Sequence, residues 1–192
     1  DASLLNGNKQ LAATASGGVG MSLDMTYFQD ADGRSYYAWQ QLGATYIATM
    51  DPKDPAHVTS SPVRIVTPEY AWNAAIAEGP NVTLRDGKLY LMFSGSGVGK
   101  TYTTGLAVAD ASGTDLTDPA SWTVLNYPIQ KSGPFNGEMQ LGTGHGMWSE
   151  DEDGNQIYVF HAYATKNLGS VNAAGRDMFV RRVHCCLLYT SD

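Results

Sequence analysis

Hydrophobic and polar positions alternate over short stretches of the chain, and turn signals separate these stretches. The clearest case surrounds Asp86-Gly87. Before this pair, Val82 and Leu84 alternate with polar residues, and after it residues 89–93 are continuously apolar. An Asp-Gly pair is typical of a type I′ hairpin turn, because both central positions need positive φ. A short continuous apolar run is typical of a strand buried on both faces. The pattern therefore predicts a β-hairpin whose second strand lies inside the protein.

The same pattern occurs twice more, around Asp32-Gly33 and Asp153-Gly154. An ionisable residue precedes each of the three turn aspartates by eight positions: Asp24, Glu78 and His145. Repeats of this size favour solenoids or propellers, and units made only of strands favour the β-propeller. No stretch of adequate length has helical periodicity. Equivalent positions on the innermost strands of a propeller converge near its axis, so the three side chains are predicted to form one site.

Composition and size narrow the class of protein. The chain has 192 residues and a formal net charge of −7, and its only basic pair is Arg181-Arg182. This excludes a nucleic-acid-binding surface, and no apolar run approaches the roughly 20 residues of a membrane span. A closed propeller typically has 4–8 blades. We therefore expect a fragment with about three blades and part of another. The adjacent Cys185 and Cys186 predict no disulfide framework.

Residues 94–101 nearly spell a phosphate-binding loop, but Ser94 stands where the motif has its first glycine. That motif also needs a following helix, whose N-terminus faces the phosphate. A strand-like run from Tyr102 follows instead. The stretch is therefore predicted to be a glycine-rich link between two strands.

Taken in order, four local motifs resemble glycoside hydrolase family 43, which comprises five-bladed β-propeller arabinofuranosidases and xylosidases. They are Ser22-Leu23-Asp24 with residues 28–33, Glu78-Gly79-Pro80, residues 142–146 with 153–161, and Gly175-Arg176 before an apolar strand. The resemblance covers about residues 20–183. It implies a partial β-propeller catalytic domain over residues 1–184. Residues 185–192 do not resemble the family and are expected to be a foreign tail, such as an assembly artefact.

The resemblance also implies roles for two carboxylates. In the family, a first-blade aspartate is the general base, a second-blade aspartate tunes the pKa of the acid, and a third-blade glutamate is the general acid. By motif, Asp24 matches the tuning aspartate and Glu78 the acid. An inverting glycosidase needs its acid and base about 6.5–9.5 Å apart, and a neighbouring negative charge helps the acid to keep its proton. No residue matches the base, because Asp1 is too close to Asp24 in sequence. The N-terminal blade is therefore expected to be missing, and the chain alone to be inactive.

His145 and Arg176 have two interpretations each. The family places a histidine near the axis, where it often helps to hold a hydrated metal, commonly calcium. A hard cation prefers oxygen ligands, so the alternative is a hydrogen-bonded structural histidine. No cofactor is expected to be required, and calcium near His145 would be structural. Arg176 matches the arginine that binds sugar hydroxyls through its planar donors; the alternative is an ordinary surface arginine.

Aromatic rings suit the apolar faces of sugars, and three rings are candidates to line a sugar pocket: Trp72, Phe28 and Trp148. For Phe28, packing in the core is the alternative. The remaining histidines are predicted to be structural: His57, His161 and His184.

Together these features predict a fragment of an inverting, exo-acting glycosidase that removes terminal α-L-arabinofuranosyl, or β-xylosyl, units from plant polysaccharides or oligosaccharides. A non-catalytic carbohydrate-binding propeller is the first alternative, and an aspartate facing Glu78 in the missing blade would exclude it. A retaining sucrose- or fructan-active propeller is the second, but its Arg-Asp-Pro motif is absent. The richness in Gly, Thr, Ser, Asn and Tyr favours a secreted or periplasmic protein.

Overall fold

The computed structural model of the protein describes residues 22–164 and 175–184. Within these ranges the chain forms three antiparallel sheets in succession. The only helical elements there are two short 3-10 turns, Ala71–Asn73 and Pro119–Ser121. No helix in the described part of the chain has the length and apolarity to cross a bilayer. The predicted all-β propeller is confirmed, with each sheet as one blade. The additional partial blade was predicted over residues that lie outside the described ranges.

Blades are numbered from here on in the order of this chain, so the first blade carries Asp24. It contains five strands: β1 (Ser22–Gln29), β2 (Ser35–Gln41), β3 (Ala44–Asp51), β4 (Asp54–Val58) and β5 (Val63–Val66). Strands β1, β2, β3 and β4 are neighbours in that order, and β5 pairs with the other end of β3.

The second blade contains β6 (Ala77–Arg85), β7 (Lys88–Gly95), β8 (Thr103–Asp110) and β9 (Thr123–Val124), paired in sequence order. A turn, and no helix, connects β7 to β8, so the phosphate-loop interpretation of residues 94–101 is excluded as predicted.

The third blade contains β10 (Gly133–Phe135), β11 (Glu138–Glu150), β12 (Gln156–Tyr163) and β13 (Arg176–Arg182). The long β11 pairs with β10 near its beginning and with β12 over the rest of its length. Strand β13 is the strand predicted after Gly175, and it lies at the edge of the sheet beside β12. The predicted tail at residues 185–192, with both cysteines, lies outside the described ranges.

The central strand of the second blade is buried on both faces, as its continuous apolar run predicts. Leu89, Leu91 and Phe93 pack against the first blade. Met92, on the opposite face of the same strand, packs against residues of β12 in the third blade. Burying a large apolar side chain contributes about 1.5–3 kcal/mol, so β7 is the strand that holds the three blades together.

The three hairpin turns are not alike, which corrects the sequence prediction. Asp86-Gly87 is the predicted two-residue turn, with φ of 49° and 74°. The other two hairpins turn through longer loops, residues 30–34 and 151–155. There Asp30 and Asp151 accept hydrogen bonds from backbone N–H groups two and four residues ahead. A side-chain acceptor stabilises such a turn without a second residue at positive φ.

Candidate active site

Each of the strands β1, β6 and β11 has a β-bulge near the predicted site residue. The pairing register shifts between Leu23 and Thr26, between Glu78 and Asn81, and between Gly144 and Met147. Within these bulges Asp24, Gly79 and His145 have φ of 60°, 59° and 49°. Bulges redirect side chains and are frequent beside active sites. The structural equivalent of Asp24 and His145 is therefore Gly79, and Glu78 lies one residue earlier.

The bulges bring Asp24, Glu78 and His145 from three blades to one place. The backbone N–H of Gly79 donates a hydrogen bond of 3.1 Å to Oδ2 of Asp24. The other carboxylate oxygen, Oδ1, lies 3.5 Å from Nε2 of His145. Asp24 thus contacts both neighbours, and its side chain retains 22% exposure. Each of the two contacts joins a different blade to β1.

Tyr102, the residue before β8, joins the other side of this cluster. Its hydroxyl donates a hydrogen bond of 2.5 Å to Oε1 of Glu78 and lies 3.1 Å from Nδ1 of His145. Glu78 is 9% exposed and Tyr102 is fully buried. Burial raises the pKa of Tyr102 far above its usual value, and the hydrogen bond and the charge of Glu78 act in the same direction. Tyr102 therefore stays a neutral donor.

Glycines allow the backbone to pack closely beside Tyr102 and His145. A Cβ atom on Gly144 would lie in the ring of Tyr102, so only glycine fits beside that ring. A Cβ atom on Gly79 would lie 3.3 Å from the imidazole of His145. Ser94, on β7, accepts the backbone N–H of His145 through its hydroxyl at 2.6 Å. These contacts fix the backbone of β11 against the second blade.

Arg176 joins the cluster through His161. Its Nη1 donates to Nε2 of His161 at 2.8 Å. The His161 ring stacks against Tyr102 and His145, with ring centroids 5.7 and 6.4 Å away. Burial, the charge of Arg176 and the neighbouring His145 lower the pKa of His161 from 6.5 to about 4. His161 is therefore neutral at pH 7 and orients the guanidinium.

The three candidate aromatic rings are placed differently from this cluster. Phe28 is 6% exposed and stacks on Tyr36 in the core between the first two blades, so it has no face for a sugar. Trp72 packs partly against the same core and donates from Nε1 to the carbonyl of Asn126. Trp148 packs between the second and third blades, and its Nε1 donates to the carbonyl of Tyr90. Sugar binding by Trp72 and Trp148 stays a prediction.

A metal near His145 also stays a prediction. Both ring nitrogens of His145 already face protein groups, namely Tyr102 and Asp24. Among residues 22–164 and 175–184, no group of three or more His, Cys, Asp or Glu side chains is arranged to hold an ion. Calcium takes 6–8 oxygen ligands, so the described side chains do not form a calcium cage. A hydrated ion would have to bring most of its oxygens as water.

Sequence reasoning missed Tyr102 and Ser94 and assigned His161 only a structural role. Tyr102 lies beside the glycine-rich stretch and belongs to no repeated position. Its contact with Glu78 spans 24 positions of sequence. Only the three-dimensional fold brings its hydroxyl to Glu78 on β6 and to His145 on β11.

In chemical terms, the cluster holds one buried carboxyl group and one partly exposed carboxylate. A buried carboxyl beside a second negative charge is the arrangement by which glycosidases keep a general acid protonated. Arg176 adds planar donors that can bind vicinal hydroxyls.

Comparison with known proteins gives this geometry a context. The sequence profile described as "Glycosyl hydrolases family 43" matches residues 8–185. The chain is 33% identical over 159 residues to an extracellular exo-alpha-(1->5)-L-arabinofuranosidase of Streptomyces chartreusis, covering 77% of this chain and 46% of that protein. It is 30% identical over 177 residues to alpha-L-arabinofuranosidase 43 of Humicola insolens, covering 85% and 36%.

The solved structure of an alpha-L-arabinofuranosidase from Lactobacillus brevis superposes with a TM-score of 0.74 at 28% identity. That match covers 84% of this chain and 52% of the other. The chain thus spans less than half the length of these curated relatives and about half of that solved chain. The sequence match extends over nearly the whole chain, and the fold agrees with it. The chain belongs to glycoside hydrolase family 43.

Proposed function

We propose that this chain supplies the general acid and the substrate-binding arginine of an inverting, exo-acting glycoside hydrolase that removes terminal α-L-arabinofuranosyl units from arabinose-containing polysaccharides or oligosaccharides. The observation that carries this proposal is the meeting of Glu78 and Asp24 at the bulges of β6 and β1. The Gly79 N–H, directly after Glu78, holds the Asp24 carboxylate at 3.1 Å.

The choice of sugar rests on the relatives. The curated relatives at 30–33% identity are named arabinofuranosidases. The solved proteins named as a xylanase and as a xylan xylosidase are 24% and 16% identical, which supports the fold alone. Arabinofuranosyl is therefore the proposed unit, and β-xylosyl is the competitor to be measured beside it.

An inverting mechanism also needs a base about 6.5–9.5 Å from the acid. The curated relatives are more than twice as long as the stretch that matches here, and we propose that the base lies in a part of the full-length protein outside these 192 residues, so that the 192-residue chain alone turns over little substrate. General acid or base catalysis contributes on the order of 10²–10⁴-fold. Activity should therefore be measured on the full-length protein that contains this chain, with the chain alone as comparison. Equal turnover by both would contradict the assignment of the base.

The test of the acid is Glu78→Gln in the full-length protein. A sugar alkoxide is a poor leaving group and needs protonation, whereas a nitrophenolate leaves without it. Hydrolysis of an arabino-oligosaccharide should therefore fall by on the order of 10²–10⁴-fold, and hydrolysis of the nitrophenyl arabinofuranoside far less. Equal losses on the two substrates would show that Glu78 is not the proton donor.

Asp24→Asn tests the second carboxylate. Without the negative charge beside it, the acid loses its proton more easily, so the alkaline limb of the pH–rate profile should move to lower pH. An alkaline limb that stays in place would remove the tuning role of Asp24.

Three smaller parts of the proposal are tested together. A nitrophenyl β-xyloside should be hydrolysed more slowly than the arabinofuranoside.

Exhaustive EDTA treatment should leave the rate unchanged, because no cofactor is proposed and calcium near His145 would be structural. Two relatives are named extracellular, so the protein should appear outside the cytoplasm on fractionation. A faster xyloside, a rate lost with EDTA or a cytoplasmic protein would each correct one part.

A further inference from the structure

We propose that Tyr102 is the positioning residue of the general acid: its hydroxyl holds the carboxyl of Glu78 in the orientation needed to protonate the leaving group. This inference rests on the proposed function of Glu78. Nothing in the sequence motifs or in the names of the relatives assigns a role to Tyr102.

The Tyr102 hydroxyl contacts three side chains, Glu78, His145 and Ser94, and it can donate to one of them. Tyr102 is fully buried, and its hydroxyl donates to Oε1 of Glu78 at 2.5 Å. A hydroxyl carries a single proton. When that proton lies toward Glu78, the 3.1 Å contact with His145 requires Nδ1 of His145 to donate. Tyr102 thus links the acid to the histidine in one direction.

With the Tyr102 proton toward Glu78, a chain of contacts connects Glu78 to Asp24. With Nδ1 of His145 donating to Tyr102, Nε2 faces Oδ1 of Asp24 at 3.5 Å. Asp24, His145, Tyr102 and Glu78 then form a continuous series across three blades. The series runs beside the direct link from Asp24 to the Gly79 N–H. Glu78 is therefore held at its backbone through Asp24 and at its carboxyl through Tyr102.

Packing holds the Tyr102 side chain rigidly in place. Its ring fills the space that Gly144 leaves, and it stacks on His161 and His145. Its backbone N–H donates to the carbonyl of Gly99 at 3.2 Å. A donor that is fixed by packing orients its acceptor, because a carboxyl that follows it must adopt one rotamer.

The chain offers a matched control. Tyr158 is also buried, at 3% exposure, and its hydroxyl also makes a contact of 2.5 Å, with Oγ1 of Thr104. Tyr158→Phe therefore removes one buried hydroxyl from the same inter-blade interface without touching Glu78. Tyr102→Phe keeps the ring and removes only the hydroxyl.

The first experiment is kinetic and uses the full-length protein. As the general acid, Glu78 acts in its protonated, uncharged form, and a hydrogen bond between uncharged groups contributes about 0.5–1.5 kcal/mol, which corresponds to about a 2- to 10-fold loss. Tyr102→Phe should show this loss in kcat on the arabino-oligosaccharide, with KM nearly unchanged and a smaller loss on the nitrophenyl substrate. Tyr158→Phe, which can act only through the contact between the blades, should show a smaller loss that is the same on both substrates. In a Glu78→Gln background, Tyr102→Phe should add no further loss on the nitrophenyl substrate, because a residue that acts through Glu78 has nothing left to position.

Equal losses on both substrates, or a full additional loss in the double mutant, would overturn the inference while leaving Glu78 as the acid. Failure of Glu78→Gln itself would instead overturn the proposed function.

The second experiment needs no activity and uses the 192-residue chain. Carboxyl-carbon NMR of labelled glutamate reports Glu78, whose resonance is assigned by its loss in Glu78→Gln. That resonance should shift in Tyr102→Phe and stay in place in Tyr158→Phe. A Glu78 resonance that does not shift in Tyr102→Phe, or that shifts equally in both variants, would overturn the inference even if no substrate were turned over.

Discussion

The two interfaces between the three blades are built differently. The centre of the first interface is apolar, with Phe28, Leu91 and Phe93 in one cluster. Its hydrogen bonds lie toward the ends, such as Thr45 to the carbonyl of Ala77. The second interface has hydrogen bonds within it, where Thr104 meets Tyr158 and Asn81 meets the backbone of Trp148.

This difference separates stability from orientation. Apolar packing is non-directional and scales with the area removed from water, so the centre of the first interface adds stability, and the orientation of the two blades there is fixed by the hydrogen bonds toward its ends. Hydrogen bonds have preferred distances and directions. The second interface therefore fixes how the third blade, which carries His145 and Arg176, faces the second blade, which carries Glu78. The geometry of the cluster thus depends on both interfaces, through Asp24 at the first and through His145 at the second.

The largest expected effect is on the apolar side of this comparison. Phe93 is fully buried and packs on Trp72 at the first interface. Phe93→Ala should lower the free energy of unfolding by about 3–5 kcal/mol, measured by urea denaturation. Met178→Ala, an apolar truncation at a site with 75% exposure, should change it by less than about 0.5 kcal/mol. Similar losses in the two variants would contradict the assignment of this stability to the apolar core of the first interface.

Asn81→Ala comes next and tests the hydrogen-bonded side. Oδ1 of Asn81 accepts the backbone N–H of Trp148 at 2.8 Å. Removing it leaves a partly buried donor without its partner, which costs about 1–3 kcal/mol. Asn81→Asp retains an acceptor oxygen and should recover most of the loss in the same denaturation experiment. If the aspartate variant is no better than the alanine variant, packing and not the hydrogen bond explains the site.

Tyr158→Phe should cost less, about 0.5–1.5 kcal/mol. Thr104 loses the Tyr158 hydroxyl but keeps the carbonyl of Thr143 at 3.4 Å. Thermal unfolding should therefore show only a small drop in Tm. A drop as large as that of Phe93→Ala would erase the distinction between the two interfaces.

The effect that is smallest near neutral pH, and that grows only on acidification, is a pH dependence from His161. Its pKa in the folded chain is about 4, below the usual 6.5, and Arg176, His145 and Tyr102 face it. The unfolded chain therefore binds more protons as the pH falls, and this contribution to stability is present above about pH 6.5 and lost toward pH 4. His161→Gln keeps an acceptor for Arg176 but does not titrate. Over this range its stability should fall less than that of the wild type; parallel curves would contradict the assignment.

Local patterns predicted the parts of the fold that depend on neighbours in sequence. The apolar run at residues 89–93 identified β7 because a strand between two blades needs apolar side chains on both faces. The eight-residue offset grouped Asp24, Glu78 and His145, although the turns differ in length. Glu78 lies one residue before the bulge position and its turn is the short one, so the two differences compensate. Bulge positions depend on pairing with the next strand, which the sequence pattern does not contain.

The candidate site was predicted only as far as motifs reach. Motif resemblance supplied Asp24, Glu78, His145 and Arg176. Phe28 was a candidate only because aromatic rings suit sugar faces, and it takes the alternative position in the core. An aromatic residue at the end of an inner strand has the same sequence signal whether it faces the axis or the neighbouring blade. Tyr102 carried no signal, because its role arises from contact between β11 and the start of β8.

Residues 94–102 bear on how the protein could be redesigned. A stretch that imitates a phosphate loop in sequence supports the acid instead: Ser94 holds the backbone of His145, and the Gly99 carbonyl holds that of Tyr102. That carbonyl is packed against Gly142, where a Cβ atom would collide with it. A mutant library chosen by distance to the sugar would treat Gly142 as a free position. It belongs instead with the fixed residues, because a side chain introduced there would displace the Gly99 carbonyl, and with it Tyr102, before it reached any new specificity.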